Sequence, residues 1–152
     1  MERLPSFDLP ALPARVQLMA LAAVAVLCLD WVTKHVVVSL QPATLVHHVT
    51  DQGWAQYGNE VILVAAACSL LACVLPLRVV AIGAGVALGG ALGNLTSRYR
   101  WDSLGGSPDF IPFADGSVGN VADVCIALGV ATMLAGSTAW LLWSAFTART
   151  RA

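Results

Sequence analysis

The chain has 152 residues, 58% of them hydrophobic and only 11% charged, which excludes an ordinary soluble domain and points to a single integral membrane domain. Its formal net charge is −1, and it carries no long basic run or basic-aromatic stripe, so nucleic acid is excluded as a partner.

Residues 1–15, with Pro5, Pro10 and Pro13, read as a polar cytoplasmic tail. Apolar runs follow at about 16–39, 60–77, 79–93 and 119–146. A helix needs roughly 20 apolar residues to cross a bilayer, so four transmembrane helices are expected. The first run is longer than the apolar core of a secretory signal and is interrupted by Asp30 and Lys34, so it is read as a retained anchor. Asp30 and Lys34 are four apart with the acid first, which suits an intrahelical ion pair that orients the helix or holds the outer domain.

Between the first two runs lies a loop of about 40–59. Its β-branched stretch, residues 43–50, ends at Asp51-Gln52-Gly53 and predicts a short strand, part of a small extracytoplasmic β-sheet. His47 and His48 are adjacent, so on a strand they face opposite sides and do not share a metal. Runs two and three meet at Pro76 to Arg78, a tight connection that suits an antiparallel hairpin. Gly85, Gly89 and Gly93 recur every four residues and predict a groove for close helix approach. Gly93-Asn94 is read as the end of that run. Asn94 either caps backbone groups or points its amide into a site.

The second loop, about 94–118, contains a Gly-, Ser- and Pro-rich stretch, Ser103 to Pro108, that can turn Asp109 back toward the bilayer. Basic residues at Arg3, Arg15, Arg78, Arg149 and Arg151 place both termini in the cytoplasm and the two long loops outside. By the same reasoning Trp54 and Trp101 suit the outer interface and Trp140 and Trp143 the inner one, a packed loop being the alternative for any of them. Cys28, Cys68, Cys73 and Cys125 lie in apolar stretches without zinc spacing and read as buried small hydrophobes, not as a disulfide framework.

Chemistry is sought first at Asp109 and Asp123, acids at and just inside the last apolar run, where ionised groups are costly. The 13 residues between them can fold back and bring them together. Two close carboxylates share a proton, and one can then take a proton from water while the other donates to a carbonyl oxygen, the two roles of peptide hydrolysis. A second reading has Asp123 capping the fourth helix or pairing with Arg98, and Asp109 as an ordinary loop residue. No GxSxG, HExxH or P-loop pattern occurs.

Several segments resemble the lipoprotein signal peptidase (signal peptidase II) family, four-span aspartic peptidases of the bacterial inner membrane. Asp30-Trp31-Val32-Thr33-Lys34 is similar to that family's DxxTK, and Gly93-Asn94-Leu95-Thr96-Ser97-Arg98 to its GNxxDR. Asp109-Phe110-Ile111 is similar to VDFI, and Asn120-Val121-Ala122-Asp123 to FNxAD. The resemblance runs in order from about residue 16 to the end. It implies that Asp109 and Asp123 are catalytic, that Asn94, Arg98 and Asn120 line the site, and that Asp30 and Lys34 support it. The implied substrate is a prolipoprotein, cut ahead of its lipid-modified cysteine, with membrane lipid as the other partner. The two outer loops would correspond to the family's β-sheet cradle and half-helix, and no metal or organic cofactor is implied. The chain departs from the family pattern at Ser97, where the motif has a second aspartate, at Gly119, where it has phenylalanine, and at Asp51 to Gln56, where it has NxGaaF. These departures motivate an alternative, a non-catalytic relative that binds lipopeptide or lipid. A small transporter or proton conductor using Asp30, Lys34 and Asp123 is a further rival.

Overall fold

A computed structural model describes residues 11–40, 46–47, 58–101 and 106–150. Among the described residues there are four helices: α1 (Leu12–Leu40), α2 (Gly58–Ala72), α3 (Arg78–Arg100) and α4 (Val121–Arg149). Four two-residue strands accompany them: β1 (Val46–His47), β2 (Pro108–Asp109), β3 (Ile111–Pro112) and β4 (Val118–Gly119). Helices α1, α3 and α4 are long and apolar enough to cross a membrane. At 15 residues, α2 spans only about 22 Å at 1.5 Å per residue, short of a hydrocarbon core of roughly 30 Å.

Helix α3 is the central element, packed against α4, α1 and α2. The four-residue glycine repeat accounts for the α1 contact: a Cβ on Gly89 would lie 2.5 Å from the Ala23 carbonyl oxygen, and one on Gly85 would overlap the Met19 carbonyl. A second small-residue seam, not picked out from the sequence, faces α4. Gly83 and Gly90 lie against Gly129 and the Ala122 carbonyl, and Gly129 in turn abuts Ala87. Without a water-driven hydrophobic force inside lipid, such backbone-to-backbone packing is what holds membrane helices together. The outer faces stay apolar and exposed, with Leu21, Val24, Leu63, Leu128, Leu134 and Leu142 pointing away from the protein.

At the end of the bundle bearing Arg15 and Arg78, a cluster of Met19, Ala72, Cys73, Val80, Ala81 and Ala84 forms the core. Arg15 is buried there, and its Nε donates to the Cys73 carbonyl at 2.7 Å, satisfying an orphan acceptor just beyond α2. The sequence reading counted Arg15 only as a topology signal.

Two expectations need correction. Helix α3 does not stop at Gly93-Asn94 but continues to Arg100, so the second loop starts at 101 and not at 94. The hydroxyls beyond that point are satisfied within the helix: Thr96 Oγ1 donates to Leu92 O at 2.9 Å and Ser97 Oγ to Gly93 O at 2.6 Å. Cys28 and Cys68 are exposed, on helix faces turned away from the protein, while Cys73 is buried and Cys125 half-buried; all four are free. Trp101 is buried, tilted against Trp31 with ring centroids 5.3 Å apart, which fits the packed alternative offered for it.

Strand β1 pairs antiparallel with β2 in the register Val46↔Asp109, and β3 pairs with β4 in the register Ile111↔Gly119. Asp109 therefore sits where the α1–α2 connection meets a hairpin that leads into α4. The predicted strand in 43–50 thus exists as Val46–His47, whereas His48, Trp54 and the Asp51 to Gln56 stretch lie outside the described residues.

Candidate active site

The helix ends opposite Arg15 and Arg78 enclose a cavity of about 360 Å³. Among its lining residues are Asn94, Arg98, Asp109, Phe113, Asn120 and Asp123. Five of the seven site residues expected from the sequence thus meet in one cavity, and the other two, Asp30 and Lys34, lie buried beside it.

Each acid is held by a local device. Asp123 is the third residue of α4 and forms a reciprocal capping box with Asn120. The Asn120 backbone N–H donates to Asp123 Oδ2 at 2.9 Å, and the Asp123 N–H donates to Asn120 Oδ1 at 3.3 Å. Asn94 Nδ2, from α3, donates to the other carboxylate oxygen, Oδ1, at 2.7 Å. Asp109 is 6% exposed and accepts from Asn120 Nδ2 at 2.6 Å. The same nitrogen lies 3.3 Å from Ser107 Oγ. Asn120 therefore joins the two acids, its backbone and side-chain oxygen engaged with Asp123 and its amide nitrogen with Asp109. Asp123 thus caps α4, one of the roles the sequence left open for it, and both Asp123 and Asn94 line the cavity, where the Asn94 amide meets the Asp123 carboxylate.

Beneath the cavity, Lys34 and Asp30 are 0% and 1% exposed and form the expected i,i+4 pair at 2.7 Å. Lys34 Nζ also donates to Asn94 Oδ1 at 3.0 Å and to Ser97 Oγ at 2.9 Å, so its three protons have three acceptors. The second oxygen of Asp30, Oδ1, accepts from the Ala122 N–H at 3.0 Å, satisfying one of the orphan donors in the first turn of α4. Gly93 makes this approach possible, since a Cβ there would lie 2.6 Å from Asp30 Oδ2. The α1 pair thus reaches the acids by two routes, through Asn94 to the Asp123 side chain and through Ala122 to its backbone. Ser97, noted from the sequence only as a departure, is a working acceptor for Lys34.

The profile of the Signal peptidase (SPase) II family matches residues 22–139, more than three-quarters of the chain. The chain belongs to the signal peptidase II family. That family consists of lipoprotein signal peptidases, and three membrane-length apolar helices together with this membership make the chain a multi-pass membrane protein. Against individual curated proteins there is no significant match.

Two features escaped the sequence reading. One is the β3–β4 hairpin, whose signal was Asp115-Gly116 between short apolar runs. Gly116 takes φ +84°, the Phe113 N–H donates to Ser117 O at 2.8 Å, and the Gly116 N–H donates back to Phe113 O at 3.1 Å, which makes a three-residue turn. Asp115 Oδ1 accepts from both the N–H and the hydroxyl of Ser117, and these bonds hold its carboxyl below the usual carboxylate range. The other is Phe113 itself, on the cavity wall. Among the described residues, no group of three or more His, Cys, Asp or Glu side chains is arranged to hold a metal ion.

Proposed function

We propose that the chain is an aspartic endopeptidase that removes signal peptides from prolipoproteins ahead of the lipid-modified cysteine, with Asp109 and Asp123 as its catalytic pair. The observation that carries this reading is that both acids line one cavity and are joined through Asn120. A water between them loses its proton to one carboxylate as it attacks the scissile carbonyl carbon, while the protonated partner donates to the carbonyl oxygen. The tetrahedral intermediate collapses when the leaving amine takes up a proton from the pair. In this mechanism either carboxylate can take either role, so the roles belong to the pair. Asn94 and Asn120 hold both carboxylates in place before substrate arrives, the preorganisation on which positioning depends. Arg98, on the cavity wall, supplies a fixed positive charge for substrate carbonyls.

In this reading the protein lies in the bacterial inner membrane with both termini cytoplasmic. The site, at the helix ends away from Arg15, Arg78 and Arg149, opens to the outer surface. Four spans, including the stretch around α2, form the membrane domain, and the strand pairs around Asp109 form an extracytoplasmic edge. A substrate anchored by its acyl chains enters sideways from the bilayer. Close contact of α3 with α1 at Gly85 and Gly89 fills the path below Asp30, which disfavours a proton conductor.

The test is incubation of the purified protein in detergent with a diacylglyceryl-modified prolipoprotein, with products mapped by mass spectrometry. Cleavage immediately before the modified cysteine is expected. Binding of the lipopeptide without any cleavage would refute the reading and establish the non-catalytic alternative.

A further inference from the structure

Asp109 and Asp123 are joined along the chain by the β3–β4 hairpin, and Phe113, at the start of its turn, lines the cavity. Among the described residues that line the cavity, Phe113 is the only aromatic one; the other lining side chains are Asn, Arg, Ser, Asp and Val. Its ring is seated over Gly119: a Cβ at that position would lie 2.6 Å from Phe113 Cε2, 3.2 Å from Cζ and 2.8 Å from Asp123 Oδ2. The absence of a side chain at 119 therefore opens the space that the Phe113 ring occupies, close beside the Asp123 carboxylate. Phe113 is 38% exposed, so one part of the ring is packed and the rest faces open space. The hairpin is also braced, by the Phe113–Ser117 and Gly116–Phe113 backbone bonds and by Asp115 accepting from Ser117, so the ring is presented from a defined turn.

We infer that Phe113 is a specificity-determining residue, the wall that limits the size of the substrate side chain lying beside Asp123. The inference rests on the peptidase reading above. An aromatic ring is incompressible on this scale, and it is held from behind by Gly119 and from the side by the hairpin. A substrate side chain next to the attacked carbonyl has to fit in the space the ring leaves. Pocket discrimination by one or two methylene groups is worth about 10- to 200-fold in kcat/KM, and a whole ring removed or enlarged falls within that range.

The experiment measures kcat/KM for a set of diacylglyceryl-modified prolipoproteins carrying Gly, Ala, Leu or Phe at each of the three positions before the cut. The enzymes are the unmodified protein and Phe113→Ala, Phe113→Leu and Phe113→Trp. The readout is the ratio of large to small side chains at each position, so an overall loss of rate does not enter it. At one position the ratio is expected to rise at least about tenfold in Phe113→Ala, by less in Phe113→Leu, and to fall in Phe113→Trp. If Phe113→Ala fails to fold, the Leu–Phe–Trp series carries the same ordering. Ratios that stay constant across the series, whether or not rates fall, overturn the inference and leave Phe113 as hairpin packing. If the unmodified protein cuts none of these substrates, the peptidase reading falls, and the size filter falls with it.

Discussion

Neutralising Asp30 alone is expected to cost more stability than removing the whole Asp30–Lys34 pair. Lys34 is 0% exposed, and its ammonium is balanced by a carboxylate at 2.7 Å and two neutral oxygens at 2.9 and 3.0 Å. In Asp30→Asn the amide oxygen can still accept from the Ala122 N–H, but its NH2 then faces Lys34, so the ammonium loses both its counter-charge and one acceptor. Stranding a buried ammonium costs about 3–5 kcal/mol, a large share of a typical net stability of about 5–15 kcal/mol. Replacing Lys34 by Met in that background removes the stranded charge and leaves neutral oxygens short of a donor. The remaining penalty is about 1–3 kcal/mol. The double variant should therefore recover about 2 kcal/mol over the single one. Unfolding of micelle-solubilised protein by SDS, followed through the five tryptophans, measures this, because Trp31 and Trp101 pack together next to the pair. The reasoning is refuted if Asp30→Asn costs less than about 1 kcal/mol, or if the double variant is the less stable of the two.

Asn94→Leu removes both the Lys34 acceptor and the donor to Asp123, and cleavage should slow by about 100-fold in kcat with little change in KM; an effect confined to KM would mean that Asn94 binds substrate and does not orient the acid. Gly89→Ala places a methyl 2.5 Å from the Ala23 carbonyl oxygen and should destabilise the α1–α3 contact by about 1–3 kcal/mol in the same SDS assay, whereas a neutral result would mean that the helices separate at no cost. The Asp115 carboxyl, held down by Ser117, stabilises the hairpin turn above the ordinary aspartate range, and that contribution is lost as pH falls through the depressed folded-state value. The Ser117 amide resonance in an NMR titration should accordingly move with a midpoint below about 3.9, and a midpoint at or above that value counts against the turn.

The membrane class, the α1–α3 groove and the candidate acids were legible in the sequence because each is written in composition or spacing: long apolar runs, glycines every four residues, and carboxylates where lipid makes them costly. The end of α3 was not legible. Gly93-Asn94 looks like a helix end until its partners are known, and Asn94 finds its partners on α1 and α4. Such long-range hydrogen bonds have no local signature. The Asp30–Ala122 bond is of the same kind, joining residues 92 apart, and it links the α1 ion pair to the first turn of α4. The hairpin could have been read from Asp115-Gly116, but the seat of Phe113 on Gly119 could not, since it depends on the register of β3 with β4.

The central claim is that Asp109 and Asp123 act as one catalytic unit. It is tested most directly by the single-turnover cleavage rate of a lipid-modified prolipoprotein in Asp109→Asn, Asp123→Asn and the double variant, each checked for an unchanged SDS unfolding profile. Each single substitution is expected to reduce the rate by about 10³-fold or more, and the double to reduce it no further, because either change removes the shared proton chemistry. Near-normal cleavage in either single variant, or losses that multiply in the double, would contradict the account.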